Sequence, residues 1–363
     1  MFWGSYKTKT ALSGIKPGDP IISKITAHDL EWKCSGTGSE THSIYFRLDN
    51  GYFGFIQFAW AKVSLSTTYQ TNFFIYAPGK PTIFETLNEN AMQIGKDNVS
   101  VSSNSLKLQW SHDMKEIIAI YNNGKSAPHE AINLLLTFKI NSEGYKIGEG
   151  VNDIAGGTAM HAFYPRGAVT SQLSVHGEPN VSSSGVGIFI RAISTGILPY
   201  NVGEEWFLAV AAGKSQDEDF FFHTLHYTTP QKYGGTVITQ GAILRSGKPT
   251  VYFWDNTIEQ KEFSKDNTEH YELPSNNIFT MRGETETGKK AELIFNSRPD
   301  KFLYEIDVLG QLNRIVKSVV QTLVTNPLVF ESYETKATFV LKVDGEPDQI
   351  LNGECFHELS LIK

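Results

Sequence analysis

Cysteine is nearly absent from this 363-residue chain, which has only Cys34 and Cys355. Two thiols so far apart read as a reduced pair in a cytosolic protein, since a bridge between them needs an oxidising compartment. No window approaches a run of about 18 apolar residues, so a membrane-spanning helix is excluded. Residues 1–14 contain no apolar core of a secretory signal. The expectation is a soluble, intracellular protein in which the sequons at Asn98 and Asn180 are chance matches. A net charge of −7 and an isoelectric point near 5.8 offer no broad basic face for nucleic acid.

Signatures of catalysis are missing too. The chain has no G-x-S-x-G elbow, no phosphate-binding P-loop, no Rossmann G-x-G-x-x-G, no H-E-x-x-H and no C-x-x-C. His223 and His226 fall in the β-rich run Phe220–Tyr227. Three residues apart on a strand, they face opposite sides and cannot chelate one ion. The reading is a non-enzyme with no catalytic residue, no cofactor and no metal.

Aromatic residues are abundant, at 12% of the chain, and sit mostly in strand-like runs. In Tyr52-Phe53-Gly54-Phe55-Ile56-Gln57-Phe58-Ala59-Trp60, alternation places Tyr52, Ile56, Phe58 and Trp60 on one face. Phe53, Phe55 and Ala59 fall on the other, so both faces are apolar. A greasy ligand on one side explains such a strand, and so does protein packing on both sides. Asp49-Asn50-Gly51 is a hairpin turn leading into it.

The rest reads as short strands separated by Gly, Asn, Asp and Pro turns, a pattern of barrels or sandwiches. Strands are predicted near 158–164 and 169–176, with a break at Pro165, and near 328–333 and 337–343. The Ser-rich stretch 176–185 reads as an exposed loop, and 259–277 as a solvated excursion. Leu312, Ile315, Val316, Val319, Val320, Leu323 and Val324 recur at helical spacing, so an amphipathic helix is expected before Asn326-Pro327.

His161-Ala162-Phe163-Tyr164-Pro165-Arg166 is the most suggestive polar constellation. His161 and Phe163 share one strand face, Tyr164 takes the other, and Arg166 falls near the strand end. These residues fit either a structural ion pair, with Glu149 or Asp153 as partner, or a polar site at the mouth of an apolar cavity. At the N-terminus Phe2, Trp3 and Tyr6 beside Lys7 and Lys9 are candidate membrane contacts.

Together, several segments resemble the fungal survival-factor family, double-lipocalin proteins linked to oxidative-stress survival and ceramide transport. They are Gly51–Gln57, Met160–Arg166, Tyr227-Thr228-Thr229-Pro230-Gln231-Lys232-Tyr233, and the run from Leu312 to Glu346. The resemblance implies an all-β protein of two lipocalin-like barrels packed side by side, with the amphipathic helix near the C-terminus. The expected layout is a partly flexible segment at 1–40, a barrel over 41–195 and a second over 196–363. It further implies a carrier that takes ceramide, or a related lipid, from endoplasmic reticulum to cis-Golgi membranes. Such a carrier is cytoplasmic, associates peripherally with both membranes and supports sphingolipid synthesis and oxidative-stress survival, with the nucleus a further location. The family's longer amphipathic start is replaced here by a glycine-broken stretch, which weighs against stable docking. Lining candidates are Phe58, Trp60, Phe73, Trp110, Phe163 and Trp254, with His161, Tyr164 and Arg166 for the head group. The alternatives are an enzyme on an isoprenoid or other apolar substrate, using His161, Tyr164, Arg166 and Asp153, or a stress-response scaffold with a filled core.

Overall fold

The computed structural model describes residues 10–154, 156–215, 218–264, 272–308, 310 and 327–362. The membrane-contact candidates Phe2, Trp3, Tyr6, Lys7 and Lys9 lie outside the described residues. So does the expected amphipathic helix. The chain divides into two compact units. One comprises Ser23–Lys146 with Gly157–Pro199; the other takes in the chain before Ser23, Ile147–Gly156 and everything from Tyr200. The only α-helix among the described residues is the short Ala27–Leu30.

In the first unit a single antiparallel path of strands curls around an apolar interior. Its order is Ile83–Glu89, Ser66–Tyr76, Phe53–Val63, Gly38–Leu48, Val181–Thr195, Gly157–Val175, Ile132–Ile140, Glu116–Asn122, Leu106–Trp110, Val101–Ser102, Gln93–Ile94. The two ends of this path share no backbone ladder among the described residues, so the sheet is a half-barrel. Of the two lipocalin-like barrels expected, this one is therefore only a half-barrel. Inside it pack Ile44, Phe46, Ile56, Phe58, Trp60 and Phe73 with residues of the opposite wall.

The second unit does close. Lys290–Ser297, Asn277–Thr285, Val251–Gln260, Val237–Arg245, Glu218–Thr228, Glu205–Ser215, Gln349–Leu361 and Leu328–Val343 pair in that order. The last then returns to the first through Ala291↔Val343 to Phe295↔Phe339. The result is an eight-stranded barrel. Its middle is filled, not hollow: Phe295 stacks on Phe339 at 4.3 Å, and Phe222 and Phe220 reach Phe339 at 5.2 and 5.6 Å.

Strand 53–63 bears out the two-faced reading. Ile56, Phe58 and Trp60 face the half-barrel interior. Phe53 and Phe55 are buried on the other face, where Phe55 stacks flat on Phe74 at 5.3 Å and touches Tyr45 at 5.1 Å. A Cβ at Gly54 would stand 2.7 Å from the Phe46 ring, so only glycine admits that ring.

Several predicted breaks are bulges instead. Pro165 does not end a strand: Gly157–Val175 runs through it with a register shift between Tyr164 and Gly167. A bulge leaves a residue unpaired, which suits proline's missing N–H. Leu328–Val343 is likewise one strand, shifted between Glu334 and Ala337. The Ser-rich loop is shorter than expected, since Ser182–Gly185 belong to Val181–Thr195 and pair with Gly157–Val175. The excursion at 259–277 also shrinks, because Val251–Gln260 extends into it.

Candidate functional site

One end of the half-barrel is plugged by the chain that precedes its first long strand. The Asp29 carboxylate accepts hydrogen bonds from the Thr26 backbone N–H (2.7 Å) and hydroxyl (2.8 Å) and pairs with the buried Lys146 at 2.8 Å. Burial opposes ionisation of Asp29, but the Lys146 ammonium and the Thr26 donors outweigh it and hold its pKa below the ordinary value. Anchored in this way, the short helix presents the Leu30 carbonyl and the Trp32 ring to the barrel interior.

His42 receives both. Its Nε2 lies 3.1 Å from the Leu30 carbonyl, and Trp32 covers its ring at 4.3 Å. A carbonyl only accepts, so Nε2 carries the hydrogen and Nδ1 is left as an acceptor. Burial, and secondarily the Arg191 charge, push the His42 pKa well down, so the ring is neutral. Nδ1 has no hydrogen-bond partner, and neither has the indole N–H of Trp110, whose ring stands 6.5 Å away. Phe189 and Tyr164 complete the box, at 5.1 and 6.1 Å from Trp110. The aromatic box thus presents an unpaired acceptor, His42 Nδ1, beside an unpaired donor, the Trp110 N–H, and Arg191 Nε on the neighbouring strand is unpaired as well.

Arg191 sits directly across from His42 in the sheet register and is fully buried. It donates to the Glu40 carboxylate, to the Glu31 carbonyl at 2.8 Å and to the Thr41 and Ala192 carbonyls at 3.3 Å, and lies 4.7 Å over the Trp32 ring. Glu40 in turn accepts from the backbone N–H groups of Lys33 (3.1 Å) and Cys34 (2.5 Å). Burial, and then Glu40, push the Cys34 thiol up to about 12, so it stays protonated and unreactive.

At the other end lies an apolar cavity of about 120 Å³, walled by Tyr52, Ile75, Ile83, Leu173, Val175 and Val181. The Lys80–Glu178 ion pair stands at its rim. Ile75 is level with Phe46, four residues along the strand from His42, or about 13 Å.

Where the ladder is missing, side chains span the gap. Glu85 accepts from the Tyr121 hydroxyl at 2.8 Å and from the Asn123 amide at 3.1 Å, and Lys125 approaches it at 3.4 Å. Glu89 accepts from the Ser105 hydroxyl and from the Asn104 backbone at 3.2 Å. Behind this polar seam Tyr121 stacks on Phe73 at 4.9 Å.

Of the residues singled out in the sequence, Phe58, Trp60, Phe73 and Trp110 lie together in the half-barrel interior, and Tyr164 packs against it. Phe163 lies on the opposite strand face, stacked on Tyr145 at 5.2 Å, with the buried His161 6.3 Å away. Burial drops the His161 pKa to about 4. Arg166 is tied through its backbone, with both its N–H and its carbonyl bonded to Ser142 Oγ. Trp254 belongs to the other unit, in an exterior groove beside Asp255 and Arg282. Among the described residues no cluster of three or more metal-ligating side chains occurs. Sequence reasoning missed Trp32, Glu40, His42 and Arg191. Arg191, a lone charge in Ile188-Phe189-Ile190-Arg191-Ala192-Ile193, was the available signal, because a charge on a buried strand requires a partner.

Residues 5–363 match the model of the Svf1 family. The chain is 26% identical to the ceramide-binding protein svf1 of Emericella nidulans, over 95% of this chain and 91% of the relative. With the ceramide-binding protein svf-1 of Neurospora crassa the identity is 24%, over 94% and 90%. Survival factor 2 of Schizosaccharomyces pombe is 24% identical over 92% and 93%. Among solved structures, CghA with Sch210972 superposes with a TM-score of 0.63 at 10% identity, over 94% of this chain and 99% of that one. Kievitone hydratase from Nectria haematococca gives 0.57 at 13% identity, over 98% and 96%. At such identities these structures are similar in fold alone.

Proposed function

The chain belongs to the Svf1 family, and from that membership we propose that it binds ceramide in the half-barrel and acts as a ceramide carrier. The observation that carries this reading is the pair of unpartnered polar atoms in the aromatic box, His42 Nδ1 and Trp110 Nε1. A ceramide head group offers hydroxyl donors and an amide carbonyl acceptor, the complement of that pair. Its chains need an apolar enclosure, since a 16-carbon chain loses on the order of 10 kcal/mol on entering water at about 0.8 kcal/mol per methylene.

The cavity of about 120 Å³ is too small for such a lipid, whose sites run to roughly 300–1,000 Å³. The half-barrel must therefore widen. The seam at Glu85 and Glu89 is where this requires no backbone ladder to break, and lipid passes there. The protein works by uptake and release, without chemical turnover. The enzyme reading loses its convergence because His161 and Tyr164 lie on opposite faces of one strand. In this reading the carrier is cytosolic, touches endoplasmic reticulum and cis-Golgi membranes peripherally, and moves ceramide from the first to the second in support of sphingolipid synthesis and stress survival.

Native mass spectrometry and lipid extraction of protein purified from a eukaryotic host test the reading. Co-purifying ceramide, and extraction of ceramide from liposomes, are expected. A lipid-free protein that extracts none would overturn it.

A further inference from the structure

The closed barrel has polar atoms of its own that nothing satisfies. Asn277 and Ser297 are cross-strand partners at one end of it, on the same inward face as Phe279 and Phe295. They are 6% and 1% exposed, and neither Asn277 Oδ1 nor Ser297 Oγ has a hydrogen-bond partner. Both line a cavity of about 100 Å³ at the barrel mouth, together with Ser332 and His357. His357 Nε2 is 3.4 Å from the Glu334 carboxylate, but out of line for a hydrogen bond. Buried polar groups are nearly always paired, so the two orphans that line this cavity, Asn277 Oδ1 and Ser297 Oγ, signal an occupant.

The cavity is polar at its floor and apolar at its collar. Phe207, Phe330 and Leu359 wall the way out, and Phe302 at the rim is 38% exposed. Water alone would satisfy the floor and leave the collar wet. An amphiphile inserted head first satisfies both. Its head must be small, because the volume corresponds to only about three waters at ~30 Å³ each. It must also be uncharged: the orphans are neutral hydroxyl and amide atoms, the nearby Glu334 carboxylate already accepts from the Arg298 N–H at 3.1 Å, and Lys301 and Glu358, which also line the cavity, have partners of their own. We propose that the closed barrel is a second binding site, taking a single-chain amphiphile with a small hydroxylated, uncharged head. The site is independent of ceramide binding in the other unit.

Calorimetric titration of the full chain with 1-octanol, octanoate and octylamine tests this, with ceramide extraction run in parallel. Octanol should bind at least tenfold more tightly than either charged analogue. Ser297→Ala with Asn277→Leu should weaken octanol at least tenfold and leave ceramide extraction unchanged. Phe302→Ser, a rim substitution that keeps the core intact, should weaken octanol several-fold. The proposal is overturned if millimolar octanol does not bind, if a charged analogue binds as well, or if Phe302→Ser and the floor variant both leave octanol unaffected. Loss of ceramide extraction by the wild-type chain would instead count against the ceramide reading alone.

Discussion

Removing the Glu40 carboxylate should destabilise the half-barrel severely, and removing Arg191 as well should restore most of the loss. Arg191 is fully buried and its guanidinium donates to Glu40 and to the carbonyls of Glu31, Thr41 and Ala192. In Glu40→Gln the cation keeps its carbonyls but loses its counter-charge. The glutamine oxygen cannot serve both the Lys33 and Cys34 N–H groups as well as the two carboxylate oxygens do. Breaking a buried pair from one side costs about 3–5 kcal/mol, whereas replacing both partners by apolar residues is often close to neutral. Against a typical stability of about 5–15 kcal/mol, the single change is a large fraction of the whole. Urea unfolding at pH 7.5, followed by tryptophan fluorescence and circular dichroism, measures Glu40→Gln, Arg191→Met and the Glu40→Met/Arg191→Met pair. The expected coupling is several kcal/mol and nearly independent of salt up to 1 M, since buried charges are poorly screened. A single-variant cost below about 1 kcal/mol, or simple additivity, would refute the reasoning.

Three further outcomes are expected. Glu331 is fully buried opposite Glu358, and burial, with that neighbour's charge, pushes its pKa well up. A raised carboxyl pKa stabilises fully below its unfolded value and loses that contribution as pH rises, so Glu331→Gln should raise Tm at pH 7.5 and change it little near pH 4. Burial holds His161 and His226 near 4 and His223 near 3, against 6.5 when unfolded. Their contribution is complete above pH 6.5 and fades as pH falls towards 4, so denaturant titrations at pH 5 should show uptake of about one proton per buried histidine on unfolding, and none would contradict the burial. Glu85→Gln with Glu89→Gln should speed ceramide transfer between vesicles several-fold by loosening the seam; an unchanged rate would place the passage elsewhere.

Much of this was legible in the chain, for identifiable reasons. The hairpin at Asp49-Asn50-Gly51 has its glycine at φ 85°, and the two-faced Tyr52–Trp60 strand follows from alternation alone. Pro165 misled because a bulge accommodates the missing N–H, which no local pattern distinguishes from a strand end. The seam was invisible, since an absent ladder depends on curvature and not on the residues at either edge. The polar core of the site was hidden because Glu40 and Arg191 stand 151 residues apart and meet only in the sheet register. His42 lies beside Thr41 and Ser43 in a segment that looks merely polar. Its role emerges only when Leu30 occupies Nε2 and leaves Nδ1 unpaired.

The most direct test of ceramide binding in the half-barrel is photo-crosslinking with a ceramide that carries a diazirine near its head group, mapped by peptide mass spectrometry. The expected adducts fall on the aromatic box, at Trp110, Phe189, Tyr164 or Trp32, and are lost in His42→Leu. Adducts confined to the closed barrel, or none at saturating lipid, would contradict it.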